Sequence, residues 1–270
     1  MNSEIIAANI HVHSIMADHY NKEPHFLPEN QSKVKSNLIE LSSMGNERLL
    51  DLGCGTGFII NLAVDLFDEI HGVDVTKAML DKIDLSTGNI KLHNIPAESL
   101  PFENDYFDLV TAYSFIHHLE DYNPVLKEAY RVLKPGGQFY IDLEPNKLFW
   151  NAIKALPEDG VLTPIVEREV KSVLHTDSSV QEHFGIDTEV FNKAEYIKNI
   201  LGGIDPFAFQ KDCLTAGFTA CQINFEWFLG QGSVTRQMGN SAADEIIQYL
   251  RELGPLGNNL FKYLRFNMVK

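Results

Sequence analysis

From residue 46 to residue 143, short apolar runs of strand length alternate with stretches whose apolar positions recur every three or four residues. Asn46–Leu52 and Glu69–Val75 are apolar on both faces and read as buried parallel strands, with a helix over 58–66 between them. Thr76 is placed to N-cap a helix over Lys77–Ile83, and Asn89–His93 is the next short strand. Ser99–Asp105 is a polar loop, after which strands and helices alternate to residue 143. This βαβ rhythm predicts a parallel sheet with right-handed crossovers. Ahead of it, Ser32–Ser42 carries Val34, Leu38 and Leu41 at the spacing of one helical face.

Beyond residue 143 the rhythm breaks at Glu144-Pro145-Asn146. Leu148–Ala155, Pro164–Leu174 and Val190–Leu201 read as helices of a long insertion, 147–205, that ends at Gly202-Gly203 and Asp205-Pro206. A helix over Phe207–Ala216, a strand over Ala220–Phe228, a helix over Ser241–Leu253 stopped by Gly254, and a last antiparallel strand over Phe261–Val269 follow. The expected units are 1–45 before the core, a ligand-binding core 46–146, the helical insertion 147–205, and 206–270 completing the sheet.

Composition narrows the function classes. The 270 residues suffice for one sizeable core plus insertions, and no apolar run approaches a membrane span. The start of the chain has no secretion-signal pattern, and three cysteines form neither a metal-ligand spacing nor a disulfide framework, so a cytoplasmic location without a membrane partner is expected. Cys54 reads as a small filler. The net charge of −15, with no basic cluster, disfavours nucleic acid as a partner.

The chemistry concentrates at Leu49-Leu50-Asp51-Leu52-Gly53-Cys54-Gly55-Thr56-Gly57, followed 17 positions later by Asp74 at the end of the second strand. A strand runs into three alternating glycines, and a helix then opens with free N–H groups. Asp74 arrives where a ribose diol lies in a doubly wound fold. A nucleoside-containing cofactor follows. The dinucleotide spacing G-x-G-x-x-G is absent, which counts against a nicotinamide oxidoreductase. Asp51 would repel a pyrophosphate and suits a ligand carrying an ammonium group.

These residues resemble the first two motifs of the class I S-adenosylmethionine-dependent methyltransferases. Ala97-Glu98-Ser99-Leu100-Pro101-Phe102 is similar to the third motif, with Pro96 where many relatives carry Asp. Phe107–Tyr113 resembles the fourth strand, and residues 126–137, ending in Pro135-Gly136-Gly137, resemble the helix and turn before strand five at Gln138–Leu143. The resemblance covers residues 46–145 in order. It implies a Rossmann-like, doubly wound, mostly parallel seven-stranded α/β sheet with an antiparallel last strand, residues 1–45 as an N-terminal helical lid, and 147–205 as a helical substrate cap. It also implies that S-adenosylmethionine is the cofactor and S-adenosylhomocysteine the product. The residues expected to hold it are Tyr20, Asp51, Gly53, Gly55, Gly57, Asp74, Val75, Met79, Ala97, Glu98 and Tyr113, with Phe26 a second aromatic of the lid.

Methyl transfer from a sulfonium is an in-line displacement, so the protein orients the acceptor, excludes water and, for an O–H or N–H acceptor, takes a proton. His118, then His117, just after strand four, are the first candidates for that base, followed by His19, His25 and His183. Either of the pair could instead cap a helix or support the wall. Asp142 and Glu144 alternate on strand five and are expected on one face, too little for a metal site, so no metal is expected. Phe149, Trp150, Phe184, Phe191, Tyr196, Phe207 and Phe209 in or beside the insertion line an apolar acceptor site or form the cap's own core. The function expected is methyl transfer to a small molecule. The alternative is a non-catalytic S-adenosylmethionine-binding regulatory or scaffold module. The residues name neither the acceptor nor the oligomeric state.

Overall fold

The structure, a computed structural model, describes residues 3–22, 26–157 and 162–270, without the side chains of Ser3 and residues 175–183. Its centre is a seven-stranded sheet in the order β3-β2-β1-β4-β5-β7-β6. The strands are β1 (Arg48–Leu52), β2 (Glu69–Val73), β3 (Ile90–His93), β4 (Phe107–Tyr113), β5 (Leu133–Pro145), β6 (Ala220–Phe228) and β7 (Phe261–Val269). The first five run parallel, and β7 lies antiparallel between β5 and β6. The chain order reverses between β1 and β4, which opens a crevice at their C-terminal ends, where doubly wound folds bind ligands.

Alternation along the strands builds the two layers. Leu50, Leu52, Val110, Phe139 and Ile141 point to one face, against α5 (Asn123–Val132) and α9 (Pro206–Ala216). Leu49, Ile70, Leu109, Tyr113 and Tyr140 point to the other, against α2 (Pro28–Ser42) and α3 (Phe58–Ala63). Val34, Leu38 and Leu41 are the buried stripe of α2, as their spacing predicts.

Several boundaries differ from those read in the sequence. The helix after the glycine loop ends at Ala63, and α4 spans only Lys77–Leu80. The Thr76 side chain makes no capping hydrogen bond; Asp74 Oδ1 accepts from the Thr76 amide at 2.7 Å instead. β5 extends to Pro145 through a register break at Leu143, whose φ is 61°. That break separates Asp142 and Glu144, expected on one face. Asp142 takes the Tyr140 hydroxyl, whereas Glu144 lies under residues 115–117.

The insertion holds α6 (Lys147–Lys154), α7 (Pro164–Phe184) and α8 (Thr188–Ala194), then a single π-helical turn at Tyr196–Ile200. Asn146, Asp187 and Asp205 N-cap α6, α8 and α9. Phe149, Ile153 and Val170 form a satellite core with Trp150 packed on it. Within the helical lid the sequence reading delimited only the helix over 32–42; α1 (Ser3–Met16) precedes it, and its Ala8, Val12 and Met16 pack against Ile186, Phe191 and Ala194 of the insertion. α10 (Gln231–Met238), α11 (Asn240–Glu252) and α12 (Pro255–Asn258) fill the connection from β6 to β7. Among the described residues, no helix is long and apolar enough to cross a membrane.

Candidate active site

The glycine loop leaves β1 with Gly53, Gly55 and Gly57 at φ of 63°, 52° and 88°, in the left-handed region that side chains disfavour. At Gly53 the reason is also steric, because an added Cβ would fall 2.1 Å from the Phe115 ring. At Gly55 the space is open except for the Tyr20 ring at 4.0 Å, so the bare backbone faces the crevice. The Gly55 amide donates to Asp74 Oδ2 at 2.9 Å, which ties the loop to the end of β2.

A cavity of about 350 Å³ opens beside the loop. Tyr20, Gly53, Gly55, Asp74, Val75, Met79, Ala97 and Glu98, which the sequence offered as cofactor-binding candidates, line it. Asp51 and Tyr113 face a small adjoining recess of about 20 Å³, with Tyr20, Thr56 and Ser114. Gly57 borders neither space. It opens α3 and abuts Ile83 instead. Phe26 packs on Phe58 with ring centroids 5.1 Å apart and does not reach the cavity.

The recess is electrostatically unusual. Asp51 is buried and holds one neutral donor, the Thr111 hydroxyl, at 2.7 Å. Burial pushes its carboxyl up to about 8; Thr111 works against the shift and the charge of Asp74 adds to it. A cationic group in the recess would supply the missing counter-charge. Asp74 is likewise held above the usual carboxylate range by burial, although the Thr76 and Gly55 amides lower it. Ser114, between the two spaces, is a non-glycine residue at φ 53°, the kind of strain that a surrounding site has to hold in place.

This arrangement fits S-adenosylmethionine. Gly55 offers open backbone, Asp74 stands at the cavity wall for a ribose diol, and Val75, Met79 and Ala97 supply apolar surface for a base. Asp51 offers an uncompensated carboxylate for an ammonium group.

The opposite wall joins His118 to residues of α1 that the sequence reading did not single out. Ile5, Ile6, Asn9 and His13 from α1 line it, with Ser114, Phe115, His118 and Leu119 beyond β4. Residues 5, 8, 12 and 16 carry helical spacing that could have revealed α1. Among the described residues, none from the insertion lines the cavity. Its aromatics serve other cores: Phe184 and Phe191 support α1, Phe209 lies in the sheet core, and Phe207 is exposed. Through its described residues the insertion backs the wall formed by α1.

The paired histidines separate in role. His117 does not reach the cavity. Glu144 accepts from its Nδ1 at 2.9 Å and from the amides of Phe115, Ile116 and His117, and Glu195 lies 3.5 Å from Nε2. Burial alone would lower the His117 pKa, but Glu144 and then Glu195 raise it above the usual histidine range. His118 faces the cavity. Its Nδ1 lies 2.7 Å from the Ala194 carbonyl, and since a carbonyl only accepts, Nδ1 carries the hydrogen. Nε2 is then the lone-pair nitrogen. Burial, and next the charge of His117, push the His118 pKa well down, so the ring is neutral near pH 7.

His19 contacts Phe184 and Lys22 and does not line the cavity. His25 and the side chain of His183 lie outside the described residues. One nitrogen or oxygen from each of His117, His118 and Glu195 falls within 4.8 Å of the others. The partners already present, Glu144 on His117 and Lys198 at 3.1 Å from Glu195, balance those charges.

Comparison with known proteins agrees with this geometry. Residues 50–141 match the family model described as a methyltransferase domain. The chain is 31% identical over 182 residues to the ubiquinone/menaquinone biosynthesis C-methyltransferase of Vibrio parahaemolyticus, covering 58% of this chain and 69% of that protein. It is 34% identical over 117 residues to a demethylmenaquinone methyltransferase of Oceanobacillus iheyensis, covering 40% of this chain and 49% of that one. The chain thus spans about half the length of the second relative. A crystal structure of a SAM-dependent methyltransferase from Archaeoglobus fulgidus superposes with a TM-score of 0.54 at 19% identity, over 92% of this chain and 100% of that chain, a likeness of fold.

Proposed function

Because the chain belongs to the class I S-adenosylmethionine-dependent methyltransferases, we propose that it methylates a small-molecule acceptor bound between the glycine loop and α1, with His118 taking the acceptor's proton. The observation that carries this reading is that His118, its Nδ1 held by the Ala194 carbonyl, lines the cavity that also holds the loop and Asp74. Bound S-adenosylmethionine supplies a methyl group on a positively charged sulfur.

The chain's own residues do the rest. Asp74, Gly55 and the apolar wall bind the nucleoside part, and Asp51 binds the ammonium group. Ile5, Ile6 and Leu119 keep water from the acceptor side, and Tyr20 closes the space above Gly55. The neutral His118 ring accepts a hydrogen bond from an acceptor O–H or N–H and orients its electron pair. Relatives named for demethylmenaquinone and for ubiquinone/menaquinone biosynthesis support an acceptor of small-molecule class.

The test is methyl transfer by the full chain over a panel of small quinols, phenols and amines, with His118→Gln beside the wild type. Turnover of a panel member, reduced about 10²-fold or more in the variant, is expected for loss of a general base. Tight cofactor binding with no turnover across the panel would instead mark a regulatory binding module. Equal turnover by wild type and variant would remove His118 from the reaction.

A further inference from the structure

The insertion reaches His118 through one junction. α8 ends at Ala194, the π turn begins at Tyr196, and Glu195 sits between them at φ −100° and ψ 42°. A π turn inside helical structure often marks a functional position. Here it turns a carboxylate inward. Glu195 is 8% exposed, with Oε1 3.5 Å from His118 Nδ1 and Oε2 3.5 Å from His117 Nε2. Neither the sheet nor the glycine loop needs an acid there, and burying one is costly unless charges meet it.

We propose that Glu195 is a positioning residue for methyl transfer: with the Ala194 carbonyl it fixes the Nδ1–H form of His118, aims Nε2 into the cavity, and offsets the positive charge the ring gains when it takes the acceptor's proton. This inference rests on the reading of His118 as the proton acceptor. The acceptor's X–H bond breaks, its electron pair stays on the acceptor, and a new N–H bond forms at Nε2. The ring then carries one positive charge.

His117, with its ring centroid 4.1 Å away and its pKa raised by Glu144 and Glu195 against the effect of burial, works against that charge. His13 of α1, edge-on at 4.9 Å, adds no negative charge. Glu144 is engaged by His117 and three amides. Glu195 is thus the carboxylate beside His118. Lys198 at 3.1 Å competes for it. The arrangement parallels an acid orienting a histidine base in hydrolytic triads, here supplied by an inserted segment.

The test has two arms on the full chain. In the protein without cofactor, imidazole 15N shifts follow protonation of His118 against pH in wild type, Glu195→Gln and Lys198→Met. Glu195→Gln is expected to move the His118 midpoint to lower pH, and Lys198→Met to higher pH. A folding defect would not give shifts of opposite sign. In the second arm, kcat/KM is measured for Glu195→Gln, His118→Gln and the double variant. Glu195→Gln is expected to lower kcat/KM about tenfold alone and to change it less than twofold in the His118→Gln background. An unmoved His118 midpoint in both variants, or an equal loss in both backgrounds, would overturn the proposal. If His118→Gln leaves turnover intact while the midpoints still shift, the reading of His118 as the base fails but its coupling to Glu195 stands.

Discussion

At the scale of single residues, the site works through carboxylates that burial has made expensive to ionise. Asp51 has its carboxyl pushed up to about 8 by burial, with Thr111 its one close donor. It is mostly protonated near pH 7 in the unloaded protein. A bound ammonium group draws the proton off, so cofactor binding releases a proton below about pH 8 and weakens as the pH falls. Calorimetry in buffers of different ionisation enthalpy reads that proton directly. Asp51→Asn is expected to abolish the proton release and weaken binding roughly 10- to 150-fold, the range for loss of one charge-assisted hydrogen bond. Proton release unchanged in the variant would show that Asp51 is not the group that meets the cation. Much of this was legible in the sequence, since Asp51, the glycines and Asp74 are contiguous with strands whose patterning is plain. Glu195 was not. It lies far from its partners in sequence and at an irregular junction, so no local period marks it.

At the scale of elements, α1 and α8 form a unit laid across the crevice. Val12, Met16 and Phe191 are buried together, Asn9 Nδ2 donates to the His118 carbonyl at 3.3 Å, and the His13 ring meets that of His118. The insertion thus acts on the site by holding α1. Phe191→Ala is expected to remove about 3–5 kcal/mol of local stability from this pair. Hydrogen exchange would then quicken in α1 while β1 and β4 keep their protection, and the acceptor's KM would rise. Uniform loss of protection across the sheet would mean that α1 is not a separate unit. The sequence placed the starts of the inserted helices to within a few residues, ended α7 about ten residues early, and left their aromatics open between an acceptor site and the insertion's own core. Aromatic content is the same whether a helix lines a cavity or supports a neighbour, and only packing separates the two.

At the scale of the whole molecule, the sheet order opens the cavity at the C-terminal ends of β1, β2, β3 and β4, around the switch between β1 and β4. That much followed from the βαβ rhythm. The β5 break at Leu143, which sends Glu144 beneath the paired histidines, did not, because the pattern gives no sign of a left-handed residue within a strand. Away from the site, β2 and β3 share a neutral histidine pair, with His71 Nδ1 3.0 Å from His93 Nε2 and His71 Nε2 2.8 Å from Glu69. Burial lowers both histidine pKa values. The unfolded chain therefore takes up protons first, and the pair's contribution to stability falls as the pH drops from about 6.5 toward the folded-state values. His93→Gln should flatten the fall in unfolding free energy between about pH 6.5 and 5 in urea titrations, and an unchanged slope would exclude the pair as its source. The central claim is that this crevice binds S-adenosylmethionine. Its most direct test is calorimetric titration of the full chain and of Asp74→Asn with S-adenosylmethionine. The account predicts one site per chain in the wild type, weakened roughly 10- to 150-fold in the variant. It would be contradicted by no binding in the wild type or by equal affinity in the variant.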